Sequence, residues 1–162
     1  MSGSSIVYTP PVTPLILFAA VLIGNPFPAL DLSTPQGAPA QLAVKNHRIL
    51  VVDFFATWCE PCRESLPVVD RLRQRFGSEV DFVSLAEDDD AAKVAAFAAQ
   101  MKMNTRVLID PDRRAYHRLG AHTLPTTYVI DGDGVVRKIN HGFGKGYAAR
   151  MTGWLEGLLG KR

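Results

Sequence analysis

Residues 49–62 read ILVVDFFATWCEPC, an apolar run that leads into two cysteines separated by two residues. The first seven residues are mostly aliphatic or aromatic, a composition typical of a strand that is covered on both faces. From Pro61 to Phe76 apolar residues recur at helical spacing, and Gly77 marks the end of that helix. The sequence therefore predicts that Cys59 and Cys62 lie where a buried strand passes into a helix.

This position favours a reactive thiolate at Cys59. Unpaired N–H groups and the helix dipole at a helix N-terminus stabilise negative charge and lower the pKa of a thiol. Cys62 follows one turn later, and Pro61 suits the first helical turn because its missing N–H is not needed there. The chain has only 2 cysteines, and a bridge across two residues constrains the unfolded chain little. We expect a redox pair in which Cys59 is the exposed attacking thiol and Cys62 is the buried resolving thiol.

The composition argues for one globular domain and against nucleic acid as a partner. The chain has 162 residues, 47% of them hydrophobic, and its Lys and Arg residues are scattered with a net charge of only +2. A zinc site needs about four ligands. Besides the two cysteines there are four histidines, which show no ligand spacing and are expected on the surface or in loops: His47, His117, His122 and His141. We expect neither a metal nor a cofactor.

The remaining pattern predicts an α/β fold with a mixed central β-sheet and helices on both faces. A hairpin is indicated by the turn sequence of residues 131–134, and residues 24–37 are expected to form loop and turns. The acidic run of residues 87–90 is interpreted as a solvated loop that leads into a helix. The predicted strands are 49–55, 80–86, 106–109, 126–130 and 135–141, and the predicted helices are 61–76, 90–103, 113–119 and 147–159.

The first 23 residues differ from the rest of the chain. Residues 1–14 are rich in Ser, Thr and Pro, and residues 15–23 form an apolar run that is too short to span a bilayer. The run suits the core of a signal peptide, but no Lys or Arg precedes Lys45. We divide the chain into an N-terminal segment, 1–23, and one domain, 24–162. An atypical export signal, a membrane anchor and an arm packed on the domain stay open for the segment.

Residues 55–64, FATWCEPCRE, resemble the active-site segment of thioredoxin-like proteins, in particular the TlpA/ResA-like branch. Residues 24–32, 124–131 and 133–136 resemble the entry segment, the cis-proline loop with its strand, and the hairpin of that branch. The resemblance covers roughly 24–159. It implies a thioredoxin fold and a thiol-disulfide oxidoreductase, mostly bacterial and exported or membrane-tethered.

The resemblance also implies roles for residues around the redox pair. Pro125 is expected to be cis and to face the disulfide, and the backbone of Leu124 is expected to pair with a bound substrate segment. Trp58 is expected to shield the cysteines, with plain core packing as the alternative. Independently of the resemblance, the negative charge of Glu60, between the cysteines, is expected to oppose the helix-dipole stabilisation of the Cys59 thiolate and to hold the pair on the reducing side. A Glu60 that only occupies a solvated turn is the alternative.

Asp53 is an acid within an otherwise apolar strand. Burying a carboxylate is unfavourable, so this placement indicates a function. In thioredoxins proper, an Asp at this position assists deprotonation of the second cysteine, whereas the ResA-like branch often has Asn. We expect Asp53 to act as the base for Cys62, with an exposed side chain or a structural hydrogen bond as the alternative.

The predicted function is reduction of protein disulfides, with electrons from an upstream thiol reductant. The protein is expected to be a monomer in the bacterial periplasm or at the extracytoplasmic face of a membrane; a cytoplasmic site and a membrane tether stay open. A thiol peroxidase is disfavoured because Val52 and Ala56 occupy the positions of its Pro and Thr. A non-catalytic binding module of the same fold is the other alternative. Ser65 stands where the ResA-like branch often has Glu, which weakens the case for apocytochrome c as the partner.

Overall fold

The computed structural model describes residues 21–88 and 90–160, which form a seven-stranded sheet with helices packed on both faces. The order of the strands across the sheet is β2-β1-β5-β4-β3-β6-β7. The strands are β1 (Leu30–Ser33), β2 (Pro39–Leu42), β3 (Ile49–Phe55), β4 (Val80–Ala86), β5 (Arg106–Ile109), β6 (Thr126–Ile130) and β7 (Val136–His141). The helices are α1 (Glu60–Phe76), α2 (Ala91–Gln100), α3 (Arg114–Leu119) and α4 (Tyr147–Leu158), with a 3₁₀ turn at Pro111–Arg113.

The sheet is mixed, as predicted. β3 pairs in parallel with β4, and β4 with β5, because α1 and α2 cross between these strands. β6 pairs antiparallel with β3 and with β7. The central strand β3 is buried along its whole length, which agrees with its continuous apolar sequence.

One expectation was wrong: residues 24–37 are not all loop. Residues 30–33 form β1, which pairs antiparallel with β2 and joins the sheet beside β5 through Ser33 and Ile109. Only two of the four β1 residues, Leu30 and Leu32, are buried, so the strand carries too short an apolar pattern to be recognised.

Side chains that alternate along β3 divide the core into two layers. On one face, Leu50, Val52 and Phe54 pack with residues of β1, β4 and β6. On the other face, Ile49 and Val51 pack against α1 and α4. Each fully buried side chain of this kind stabilises the fold by roughly 1.5–3 kcal/mol. The sheet is thereby a rigid support for the residues at the end of β3.

The acidic run is less solvated than predicted. Glu87 is buried because Arg113 reaches back across the loop and donates a hydrogen bond to its carboxylate at 3.0 Å. Asp88 is tied to the end of β3, as described below. Asp90 does precede a helix: its carboxylate caps α2 by accepting a hydrogen bond from the backbone N–H of Lys93, which lowers the pKa of Asp90. Asp89 lies outside the described residues.

The N-terminal segment falls mostly outside the described residues, which begin at Val21. Leu22 and Ile23 are exposed, and Gly24 donates a backbone hydrogen bond to Val136 at 2.8 Å. The interpretation of residues 1–23 stays a prediction.

Candidate active site

Cys59 and Cys62 form a disulfide at the N-terminus of α1. Cys59 is the N-cap residue of the helix, with an extended backbone, and its Sγ accepts a hydrogen bond from the backbone N–H of Cys62 at 3.2 Å. Pro61 occupies the first turn, as predicted. A negative charge on Cys59 would therefore meet the unpaired N–H groups of the helix.

The two cysteines differ less in exposure than predicted. Cys59 is only 4% exposed and Cys62 is fully buried. Both belong to an apolar cluster that includes Phe55, Leu66 and Phe97, and this cluster covers the oxidised pair. The expectation of an exposed Cys59 is thus wrong for the disulfide form, although Cys59 is the more accessible of the two.

The loop before β6 lies against the redox pair. The Leu124–Pro125 peptide bond is cis, which confirms the prediction. Leu124 packs against the apolar cluster that contains both cysteines, and Pro125 is buried. The Pro125 carbonyl accepts a hydrogen bond from the backbone N–H of Gly142 at 2.7 Å, which ties the loop to the end of β7.

Trp58 projects from the surface beside the cysteines. It is 69% exposed, so the alternative of plain core packing is wrong. It borders a groove of about 430 Å³ whose other lining residues are Thr57, Glu87, Asp88, Asp90, Lys93 and Arg113. The groove places an aromatic side chain and several charges next to the helix N-terminus.

Asp53 is fully buried, so the alternative of an exposed side chain is wrong. Its Oδ1 accepts a hydrogen bond from the hydroxyl of Thr127 at 2.7 Å, while its Oδ2 has no hydrogen-bond partner among the residues that the structure describes. Burial raises the pKa of Asp53 to about 7, although the hydrogen bond from Thr127 acts to lower it. Asp53 alternates with Val51 and Phe55 on the face of β3 that packs under α1, and Phe55 belongs to the cysteine cluster.

The first two turns of α1 place one exposed and one buried polar side chain near the pair. The Glu60 side chain is 84% exposed and lies 3.7 Å from the Arg63 guanidinium. Ser65 is fully buried, and its hydroxyl donates a hydrogen bond to the Cys62 carbonyl at 3.2 Å. Glu64 points to solvent, so no glutamate lies beneath Cys62 at this turn.

Sequence reasoning missed three residues that support this site. Thr127 donates a hydrogen bond to Asp53, and its hydroxyl also contacts that of Tyr147. Asp88 accepts a hydrogen bond from the Thr57 hydroxyl. Thr127 lies two residues after the cis-proline Pro125, and this proximity was the only feature of the sequence that could have indicated its role. Nothing in the sequence indicated Tyr147, because it reaches the site from α4.

Comparisons with known proteins agree with this geometry. The sequence profile of the Redoxin family matches residues 22–150, and the chain belongs to this family. The thiol-disulfide oxidoreductase ResA of Geobacillus thermodenitrificans (strain NG80-2) is 30% identical over 123 residues, which are 74% of this chain and 70% of ResA.

Solved structures show the same fold. A candidate thiol:disulfide interchange protein DsbE from Chlorobium tepidum has a TM-score of 0.80 at 24% identity and covers 86% of this chain and 99% of its own. A secreted Mycobacterium tuberculosis disulfide oxidoreductase has a TM-score of 0.68 at 20% identity, over 80% of this chain and 96% of its own. The thioredoxin fold and the TlpA/ResA-like resemblance are confirmed, and the protein is a thiol-disulfide oxidoreductase.

Proposed function

We propose that this protein reduces disulfide bonds in protein substrates through Cys59 and Cys62. The observation that carries the proposal is the position of the disulfide, at the N-terminus of α1 and against the loop of the cis Leu124–Pro125 bond. The helix N-terminus favours a thiolate, and the thiolate is the nucleophile in disulfide exchange.

The reaction starts from the reduced pair. The Cys59 thiolate attacks one sulfur of a substrate disulfide, the substrate S–S bond breaks, and the other substrate sulfur leaves as a thiolate. A mixed disulfide now joins Cys59 to the substrate. In this proposal Trp58 and the neighbouring groove contact the polypeptide that carries the disulfide, and the backbone of Leu124 pairs with an extended segment of it.

Asp53 is proposed to act in the second, resolving step. It accepts the proton of the Cys62 thiol, and the Cys62 thiolate then attacks the Cys59 sulfur. The mixed disulfide breaks, the substrate leaves reduced, and the Cys59–Cys62 disulfide forms. A carboxyl whose pKa is about 7 exchanges protons readily near neutral pH, and Asp53 lies on the face of β3 beneath α1. An upstream thiol reductant returns the pair to the reduced state.

We further propose that the protein works outside the cytoplasm, in the bacterial periplasm or at the outer face of a membrane. The similar M. tuberculosis protein is described as secreted, and ResA is a relative by sequence. Among residues 21–88 and 90–160, no helix is both long and apolar enough to cross a membrane.

Reduction of insulin with a thiol donor tests the proposed activity. We expect steady turnover by the wild-type chain and none by the Cys59→Ser, Cys62→Ser double variant. A non-catalytic binding module would show equal, background rates for both proteins.

Trapping tests the assignment of the two thiols. Cys62→Ser should accumulate mixed disulfides with a protein substrate, since the resolving thiol is absent, whereas Cys59→Ser should accumulate none. Trapping by Cys59→Ser instead would reverse the two roles.

A further inference from the structure

We propose that Tyr147 and Thr127 form, with Asp53, a hydroxyl relay that fixes the orientation of the Asp53 carboxyl and leaves Oδ2 as the atom that takes the Cys62 proton. This inference rests on the proposed function, in which Asp53 is the base of the resolving step. Tyr147 and Thr127 are positioning residues, because they act through Asp53.

The relay is continuous and buried. The Thr127 hydroxyl lies 2.7 Å from Asp53 Oδ1 and 2.9 Å from the Tyr147 hydroxyl. Asp53 and Thr127 are direct partners in the antiparallel pairing of β3 with β6, and Tyr147 is the first residue of α4. Asp53 and Thr127 are fully buried and Tyr147 is 1% exposed, so water does not compete for these hydrogen bonds.

The direction of the relay follows from counting protons. A threonine hydroxyl has one hydrogen, which Thr127 donates to Asp53. The contact with Tyr147 must then be donated by the tyrosine. Burial, and secondarily the charge of Asp53, raises the pKa of Tyr147 well above its usual range, so Tyr147 keeps its proton at neutral pH. Both hydroxyls therefore point toward Asp53.

This direction distinguishes the two carboxylate oxygens. Oδ1 already accepts a hydrogen bond from Thr127, whereas Oδ2 is buried without a partner in the described part of the chain. A proton that arrives at Oδ2 leaves the relay unchanged, whereas one at Oδ1 would require both hydroxyls to turn. Oδ2 is therefore the atom available for proton exchange.

Within residues 21–88 and 90–160, few charged groups surround the carboxyl. The face of α1 that packs on the sheet carries one titratable side chain, Cys62. The partner of Asp53 on β4 is Ser84, and its partner on β6 is Thr127, both neutral. On α4, Arg150 acts on Tyr147, but its guanidinium is held by the side chain of Asn140. The relay is thus the main polar support of Asp53.

The test is a ¹³C NMR titration of the Asp53 carboxyl in the full oxidised chain, with Asp53→Asn used to assign the signal. Thr127→Val removes the donor with little change in shape, and we expect it to raise the titration midpoint by about one pH unit. Tyr147→Phe should raise the midpoint by less, because Thr127 still donates. Thr127→Ser keeps the hydroxyl and should retain the wild-type midpoint. An unchanged or lowered midpoint in Thr127→Val, in a chain whose circular dichroism matches the wild type, would overturn the relay.

The rate of mixed-disulfide resolution, measured against pH, connects the relay to the reaction. In Thr127→Val the profile should move to higher pH with the carboxyl titration. If the carboxyl midpoint moves while the profile does not, the relay has no part in the resolving step. The titration needs no substrate, so a wild-type chain that fails to reduce insulin would refute the proposed function without affecting this readout.

Discussion

Asp88 binds the backbone N–H and the hydroxyl of Thr57, the residue that precedes Trp58. Its carboxylate accepts a hydrogen bond from the Thr57 backbone N–H at 2.8 Å and one from the Thr57 hydroxyl at 2.7 Å. The loop after β4 thereby fixes the segment between β3 and α1. The position of the redox pair thus depends on a residue 26 positions after Cys62.

Asp88→Ala should destabilise the protein and slow turnover. It leaves the partly buried Thr57 N–H without its acceptor, a loss of about 1–3 kcal/mol in the free energy of unfolding. Urea unfolding and the insulin assay measure the two effects. Asp70→Ala is the matched control, because Asp70, about two turns after Cys62 on α1, also accepts two hydrogen bonds, both from Asn104 and neither from the segment between β3 and α1. A turnover rate for Asp88→Ala equal to that of Asp70→Ala would contradict the role of Asp88.

Asp53→Asn should stabilise the fold in a pH-dependent way. The folded pKa of Asp53, about 7, exceeds its ordinary value of 3.8, so the folded state binds more protons between these values. Proton binding by Asp53 therefore contributes fully to the stability of the fold below about pH 4. This contribution is lost as the pH rises through about 7. At pH 8 the free energy of unfolding of Asp53→Asn should exceed that of the wild type by at most about 4 kcal/mol.

Asp131 is a control for that experiment, because its pKa is shifted in the opposite direction. Burial acts to raise the pKa of Asp131, but hydrogen bonds from Val135 and Arg137 leave it below its usual range. Asp131→Asn should therefore lower stability above pH 4, where the wild-type carboxylate is charged. Denaturant unfolding from pH 4 to 8 checks both signs. A stability difference between Asp53→Asn and wild type that does not grow with pH would contradict the raised pKa.

Glu60→His should raise the reduction potential of the Cys59–Cys62 pair. Removing the negative charge beside the helix N-terminus stabilises the Cys59 thiolate and hence the reduced form. Glu60 is largely exposed and lies near Arg63, so solvent and the neighbouring charge screen its effect on the thiolate. We therefore expect the potential to rise by at most a few tens of millivolts, where about 30 mV corresponds to 1.4 kcal/mol. Glu64→His makes the same charge change one turn later and should shift the potential less. Equilibration with glutathione measures both, and a more negative potential for Glu60→His would refute the effect.

Trp58→Ala should weaken the use of protein substrates without weakening the fold. Because Trp58 is 69% exposed, its removal should change the free energy of unfolding by less than about 0.5 kcal/mol. The KM for insulin should rise severalfold, whereas exchange with a small disulfide such as oxidised dithiothreitol should be unaffected. Equal losses with both substrates would assign Trp58 to the redox pair itself and not to substrate contact.

The sequence was most informative where apolar runs are continuous. β3 and β4 were predicted with the bounds that the structure shows, since buried parallel strands have unbroken apolar sequences. β1 and β2 were missed because each has four residues and gains its stability from neighbours that lie far away in the chain. Helix α2 ends at Gln100, earlier than predicted, since its alanines give little indication of an end.

The same contrast holds for the site. The cysteine pair and the cis-proline follow from local sequence, and Asp53 was conspicuous as a polar residue in an apolar strand. Thr127 could not be predicted, because its pairing with Asp53 depends on the register between β3 and β6. Asp88 and Glu87 looked solvated because their partners, Thr57 and Arg113, are distant in sequence.

The β1–β2 hairpin determines which strand lies at one edge of the sheet, where a second copy of the chain could pair. Without the hairpin, the unpaired N–H and C=O groups of β5 would be a template for strand addition. The hairpin joins that edge through the pair Ser33 and Ile109 and makes β2 the outermost strand, a four-residue strand that begins with Pro39, which has no N–H to donate. At the opposite edge, Pro26 bridges to Val135, the residue before β7, and Arg137 and Lys138 are exposed further along. Both margins of the sheet are therefore poor sites for intermolecular β-pairing, which protects the fold against aggregation through its edges.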